Sequence, residues 1–236
     1  MSDKSSICVL VSGGLDSDVL LGELAKKYRK VQPVYIRQGL VWEKVELYWL
    51  RRFLTSFRRK PESSPSRLGP DFRRGDGITP LTILSLPMAD VYGPHWSTGK
   101  KPVPGVRSHD SAVYLPGRNL ILSVKVAVFA AMHRIPILAI GSISHNPFPD
   151  ATPAFYRRWG AVLGAGLGAR LEVIAPYRRL SKEQVIARGR NLPFELSFSC
   201  IAPHGRWHCG RCNKCAERRR AFSRAGVEDK TRYASN

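Results

Sequence analysis

The chain alternates short apolar runs with stretches of helical periodicity. Residues 7–11 are continuously apolar, the pattern of a strand buried on both faces of a parallel sheet. Val19, Leu20, Glu23, Leu24 and Lys27 continue at helical spacing, and residues 31–36 read as a second strand. Trp42, Val45, Trp49 and Phe53 mark one face of a second helix, with Glu43, Glu46 and Arg51 expected away from it. These tryptophans read as core rather than as a ligand platform. Strands are expected over 81–86, 137–140 and 171–175, and helices over 118–133 and 154–167. Leu122, Val126 and Phe129 form the apolar face of the first of these helices, and Gly164, Gly166 and Gly168 end the second loosely. Ser181 then opens a helix, with Gln184 at the capping-box position. Two segments break the rhythm. Residues 58–80 hold Pro61, Pro65, Pro70, Gly69, Gly75, Gly77 and clustered charge, and read as a flexible loop. Residues 92–112 are rich in Gly, Pro and Ser, and read as a mobile segment beside an active site. Strand–helix alternation predicts an α/β fold with a doubly wound, mostly parallel Rossmann-like sheet. Ligands of such sheets lie beyond the carboxyl ends of the strands, where strand order reverses.

At the end of the first strand stands Ser12-Gly13-Gly14-Leu15-Asp16-Ser17. Gly13 and Gly14 lack Cβ, so the backbone turns tightly and approaches an anion closely. The helix that follows aims free N–H groups and its positive dipole end at that anion. Asp16 is suited to magnesium and Ser17 to a hydrogen bond. The pattern is not the Walker sequence. It resembles the PP-loop, SGGxDS, of ATP pyrophosphatases, which cleave ATP between its α and β phosphates to form an adenylate. A plain strand–turn–helix corner is the bland alternative.

Of five cysteines, Cys8 falls inside the first strand and reads as a small core residue. Cys200, Cys209, Cys212 and Cys215 combine overlapping CxxC spacing with a fourth thiol upstream. That set points to one tetrahedral structural zinc ion. A disulfide pair, a redox CxxC and an iron–sulfur cluster are the alternatives. Gly210 would help the knuckle turn, and Lys214 and nearby arginines would offset thiolate charge. His204 and His208 are surplus to four thiolates. The organisation expected is an ATP-binding α/β domain over 1–195 and a zinc-binding segment over 196–236 packed on it.

The 38 Lys and Arg residues outnumber 18 acidic ones, a net charge of +20. ATP alone does not require that much. The excess includes Arg51, Arg52, Arg58, Arg59, Lys60, Arg67, Arg73, Arg74, Arg218, Arg219 and Arg220, and suits an acidic protein or a nucleic acid. Generic solubility is the alternative. No apolar run approaches the about eighteen residues that span a bilayer, and residues 1–6 lack a signal peptide's apolar segment. A cytoplasmic protein without a membrane partner is expected.

Four features in order make the chain resemble the QueC, or 7-cyano-7-deazaguanine synthase, family of PP-loop enzymes. They are residues 12–17; Tyr114-Leu115-Pro116-Gly117-Arg118-Asn119, similar to Y-x-P-[AG]-R-N; Phe148-Pro149-Asp150, at the place of Y-P-D; and Ser199-Cys200 with Cys209, Cys212 and Cys215, followed by Arg218 and Phe222. Residues 180–183 match an L-S-K-x-E-like stretch. The resemblance implies a homodimer that binds a deazaguanine, ATP, Mg2+ and structural Zn2+. It implies adenylation of the carboxylate of 7-carboxy-7-deazaguanine, then conversion by ammonia to an amide and by a second ATP to a nitrile. It further implies that Ser12, Gly13, Gly14, Leu15, Asp16 and Ser17 hold ATP phosphates, with Asp16 on magnesium. Tyr35 and Ile36 would hold adenine or simply fill the strand core. Arg118 would stabilise the α-phosphate or substrate carboxylate, or form a distant salt bridge. Asn119 would read a base edge or cap a helix. Phe148 and Asp150 would contact the base, Asp150 alternatively serving as a loop residue.

The pattern also departs from the family. Its Y-G-Q-R-H stretch is here Ile36-Arg37-Gln38-Gly39-Leu40, leaving only the Gln and the later Glu43, and residues 144–152 lack the family's Cys, Arg and one Asp. These losses touch substrate handling more than ATP activation. They support a QueC-like antiviral paralogue that conjugates the activated base to a protein amine as an alternative. An RNA-binding zinc protein and a PP-loop RNA thiolase are further readings, opposed respectively by the intact loop and by the commitment of all four clustered thiols to metal.

Overall fold

The computed structural model describes residues 5–57, 77–144, 146 and 148–234. Most of the expected loop over 58–80, including Arg58, Arg59, Lys60, Arg67, Arg73 and Arg74, lies outside the described residues.

Five strands form one parallel sheet: β1 (Ser6–Leu10), β2 (Lys30–Arg37), β3 (Thr82–Ser85), β4 (Ile137–Ile140) and β5 (Glu172–Ile174). Their order is β3-β2-β1-β4-β5, and each pair is parallel. The chain steps outward from β1 on one side and returns to build the other. The reversal between β1 and β4 opens the crevice at the strands' carboxyl ends. Along β1, Ile7 and Val9 face the layer that carries α1 (Leu15–Ala25), α6 (Lys182–Arg188) and α7 (Asn213–Ala225), and Cys8 faces the layer of α4 (Arg118–Met132) and α5 (Pro153–Leu167). Side chains of a strand alternate between faces, so one apolar run feeds two cores. A third cluster joins Trp42, Trp96 and Phe198 to the four cysteines.

Strand and helix positions agree with the periodicity to within a residue or so, and Ser181 and Gln184 form the expected reciprocal capping box. Three expectations change. Glu43 and Glu46 of α2 (Glu43–Ser56) are buried rather than turned to solvent, because α2 lies over the crevice and its polar groups find partners there. Residues 92–112, expected as a mobile segment, carry local structure. They follow the short helix α3 (Ala89–Tyr92) and form 3-10 turns at Trp96–Thr98 and Asp110–Val113. Trp96 stacks on Trp42 at 5.6 Å, and the buried Asn213 side chain donates to the Ser108 carbonyl at 2.8 Å. Lastly, Asp110–Met132 does reach spanning length at a mean hydropathy of 1.3. It is one continuous run by composition only: Gly117, at φ +66°, breaks it, and Leu122, Val126 and Ala130 of α4 are core.

Candidate active site and thiolate cluster

Gly13 turns the chain under α2 with φ +74°. A Cβ there would lie 3.0 Å from the Leu50 Cβ and 3.4 Å from the Glu46 carbonyl, so both conformation and space call for glycine. The Phe198 N–H donates to the Gly13 carbonyl at 2.6 Å, which ties the corner to the chain just before Cys200. Ser17 Oγ donates to the Gly14 carbonyl at 3.0 Å and accepts from the Ser12 N–H at 3.2 Å. Gly14 starts α1 without a side-chain cap, so the helix's first N–H groups open onto the crevice. Eleven aligned peptide dipoles stand behind them. Such a corner is suited to an anion.

A cavity of about 200 Å³ opens there, and its walls include Ser12, Gly14, Asp16 and Ser17. Tyr35 and Ile36 from β2 and Arg118 and Asn119 from α4 complete the set. Eight expected residues therefore converge from three elements. A second cavity of about 390 Å³ shares Asp16, Gly141, Ser142 and Asn146 with the first and includes Phe148. Leu15 departs from the expectation. Its side chain belongs to the apolar core, so only its backbone can serve a phosphate.

Asp16 lies at the junction of the two cavities. Lys182 Nζ stands 3.4 Å from its Oδ2 but 2.6 Å from Glu217 Oε1, and Lys214 holds the other Glu217 oxygen at 2.5 Å. Burial raises the Asp16 carboxyl above the usual range, with Lys182 opposing. Burial also raises Glu217, but Lys182 and Lys214 outweigh it and hold that carboxyl low. Lys182 is thus mainly Glu217's partner. Among the described residues the buried Asp16 Oδ1 has no hydrogen-bond partner. The donor set fits a hard divalent ion on Asp16. Lys182 lies in the motif stretch 180–183, but Glu217 and its pairing with Lys182 carry no motif signal, because only the packing of α6 on α7 brings them together.

Arg118 donates through Nε to Gln38 Oε1 at 3.0 Å. The Gln38 and Gly39 N–H groups in turn donate to Glu43 Oε2 at 2.6 and 2.9 Å. The two residues retained from the family's stretch after the second strand therefore build the support of Arg118. Beneath them the Tyr35 hydroxyl donates to Glu46 Oε2 at 2.6 Å. Burial pushes the Glu46 carboxyl up to about 7, against the opposing effects of Arg118 and the Tyr35 hydroxyl. Glu46 was read as a solvated helix position; only the packing of α2 makes it a wall of the site.

Asp150 is nearly enclosed and accepts from Asn119 twice, from the backbone N–H at 2.8 Å and from Nδ2 at 3.4 Å. A carboxylate at the first turn of α4 complements its dipole. Asn119, expected to read a base edge or to cap the helix, and Asp150, expected to contact the base or to serve as a loop residue, are thus bound to each other. Phe148 stacks on Tyr114 at 4.4 Å, a pairing of the two middle motifs that neither suggested alone.

The four clustered thiols are buried and lie within 4.8 Å of one another. Cys200–Cys212, Cys209–Cys215 and Cys212–Cys215 sulfurs are 3.8, 3.9 and 3.5 Å apart. Four sulfurs about 2.3 Å from one tetrahedral ion would be about 3.8 Å apart, so the set fits a single ion such as zinc. Disulfide bonding needs a far shorter separation. Backbone N–H groups of Ala202 and Cys209 point at the Cys200 sulfur, and those of Arg211 and Cys212 at the Cys209 sulfur, at 3.3–3.4 Å. Gly210 makes the knuckle with φ +77°. Lys214 does not offset thiolate charge as expected; it pairs with Glu217. His208 is buried against Phe198 and accepts from the Ser199 N–H at 3.2 Å, outside the ligand set.

A model of the family described as queuosine biosynthesis protein QueC matches residues 6–226. The chain belongs to that family. A 7-cyano-7-deazaguanine synthase of Leptospira interrogans is 26% identical over 238 residues, covering 97% of this chain and 91% of the relative. One from Methanothermobacter thermautotrophicus is 28% identical over 237 residues, covering 95% and 97%. One from Chlorobaculum tepidum is 29% identical over 237 residues, covering 95% of each chain. The match runs along whole relatives, so family membership extends through the thiolate segment as well as the sheet. Nothing in these matches favours the antiviral alternative.

Proposed function

We propose that this chain is an ATP-dependent enzyme that adenylates the carboxylate of 7-carboxy-7-deazaguanine and delivers the acyl group to ammonia. The observation that carries the reading is the convergence of the uncapped α1 start, Asp16 and Arg118 on one cavity. ATP phosphates lie on the N–H groups of α1 and on Ser12 and Ser17. Asp16 would hold a magnesium ion, which would supply positive charge toward the phosphates. Arg118, fixed by Gln38, faces the α-phosphate and meets the charge that develops as the carboxylate oxygen attacks phosphorus. The bond from the α-phosphorus to the bridging oxygen breaks and pyrophosphate leaves. Ammonia then attacks the acyl carbon, AMP leaves and a proton is lost, giving the amide. Attack of the amide oxygen on a second ATP expels pyrophosphate; loss of AMP and two protons leaves the nitrile. The Tyr114–Phe148 pair supplies a flat apolar wall for the base. The four thiolates would hold a structural zinc ion, and their segment braces the corner through the Phe198 N–H. The family membership and the named activity of the relatives support the choice of substrate.

Mass spectrometry of a reaction with 7-carboxy-7-deazaguanine, ATP, magnesium and ammonia tests the reading. Nitrile and two AMP per product are expected. AMP with amide only would refute the second activation, and no base-derived product would refute the substrate assignment. Asp16→Asn should abolish AMP release while leaving the melting temperature near wild type; unchanged turnover would remove Asp16 from the mechanism.

A further inference from the structure

ATP and a deazaguanine leave most of the +20 charge unexplained. One face, away from the cavities above, arranges arginines on aromatic rings. Arg206 lies over the Tyr48 ring at 4.7 Å, and Arg52 over the same ring at 5.7 Å. Arg52 is also 5.7 Å from the Trp49 ring. Trp49 meets Trp207 at 5.8 Å, and Arg232 covers Trp207 at 4.3 Å. The run Arg206–Tyr48–Arg52–Trp49–Trp207–Arg232 is thus unbroken, although its members come from α2, the cysteine segment and the C-terminal stretch. The Trp49 indole N–H donates to the Arg206 carbonyl at 2.7 Å and pins two of those segments together. Beside Tyr48 runs a groove of about 480 Å³ whose walls add Lys44 and Arg51. Arg51, Arg52, Arg206 and Arg232 are exposed. Among the described residues, no carboxylate lies within ion-pair distance of any of the four.

We propose that this face binds single-stranded nucleic acid. A guanidinium is planar and has two faces. Arg206 and Arg232 stand over rings at 4.7 and 4.3 Å, with Arg52 nearby at 5.7 Å, and a base could stack on such guanidinium groups in turn. Their edge N–H groups then reach the phosphates on either side. Contact with the rings already restricts these side chains, so less side-chain entropy is lost on binding. Four exposed cations with no ion-pair partner among the described residues suit a polyanion, and the Glu43 carboxylate in the groove wall is already paired with Arg37. An acidic peptide would draw on the charge but has no use for stacked planes; lysines would serve it as well. The inference is independent of the reaction proposed above, since none of these residues lines the nucleotide cavity.

The test is fluorescence anisotropy of the full chain with a labelled 12-nucleotide single strand of mixed sequence, as RNA and as DNA. Binding should weaken with salt at a log–log slope of about −3, from about 0.7 per phosphate over four contacts. The triple variant Arg52→Lys, Arg206→Lys, Arg232→Lys keeps every charge but removes the planes. It should lose affinity by about tenfold or more, keep its melting temperature, and release AMP at the wild-type rate. Either single strand binding in this way supports the proposal. It is overturned if neither strand binds at 50 mM salt, if the lysine variant binds like wild type, or if poly-glutamate or a duplex of equal length binds as tightly as the single strands.

Discussion

Replacing Gly13 by alanine tests whether the corner is held in one conformation from both sides. Two separate costs apply. At φ +74° an L-residue carries about 1–2 kcal/mol of strain. The new Cβ would also stand 3.0 Å from the Leu50 Cβ, on a fully buried side chain in the middle of α2, where overpacking costs about 1–3 kcal/mol. Together these give about 2–5 kcal/mol. For a chain of this size that lowers the melting temperature by roughly 5–15 °C. The chain's easiest relief is to rotate the peptide, which would pull the Gly13 carbonyl from the Phe198 N–H and tilt the α1 amides off the phosphates. The KM for ATP should therefore rise with stability falling. Gly39→Ala is the control: its φ is +78°, yet no described residue lies within 4 Å of the added Cβ. It should pay only the strain, about 1–2 kcal/mol. Calorimetry of both variants with ATP titration decides the matter. Equal losses for the two, or a Gly13→Ala protein with wild-type melting and ATP affinity, would refute the packing argument.

Three further outcomes are expected. Glu46 binds its proton more tightly folded than unfolded, its carboxyl standing at about 7 in the protein. The folded state therefore holds more protons between the ordinary Glu range and pH 7, and stability contributed by the protonated group is lost as pH rises through that window; Glu46→Gln should remove this part of the slope in a melting series from pH 5 to 8, and an unaltered slope would show that Glu46 is charged throughout. Cys212→Ala should release the bound ion, measurable by elemental analysis, and lower the melting temperature by about 10 °C or more, as expected when a structural site that couples to folding is broken; retained metal would exclude Cys212 from the ligand set. Arg118→Lys keeps the charge but not the Nε donor to Gln38, so kcat should fall by about tenfold or more while the KM for ATP changes little; a change confined to KM would assign Arg118 to ground-state binding.

The apolar runs and their spacing were enough to determine a parallel sheet with helices on both faces. The reason is local: alternation and helical period follow from backbone geometry alone, and a strand apolar on every position has to be covered twice. The glycine corner and the CxxC spacing were legible for a similar reason, since each compresses its chemistry into a few neighbouring residues. What only the tertiary structure decided lies where distant segments meet. Glu46 looked solvated because its helix was read without the sheet beneath it. Lys182 and Glu217 sit 35 positions apart and meet only because α6 packs on α7. Asn119 and Asp150, each a free polar residue in the sequence, satisfy one another once α4 abuts the turn before α5. A buried polar group's role is set by the partner that desolvation forces on it, and that partner is a property of the packed chain, not of the residues beside it in the sequence.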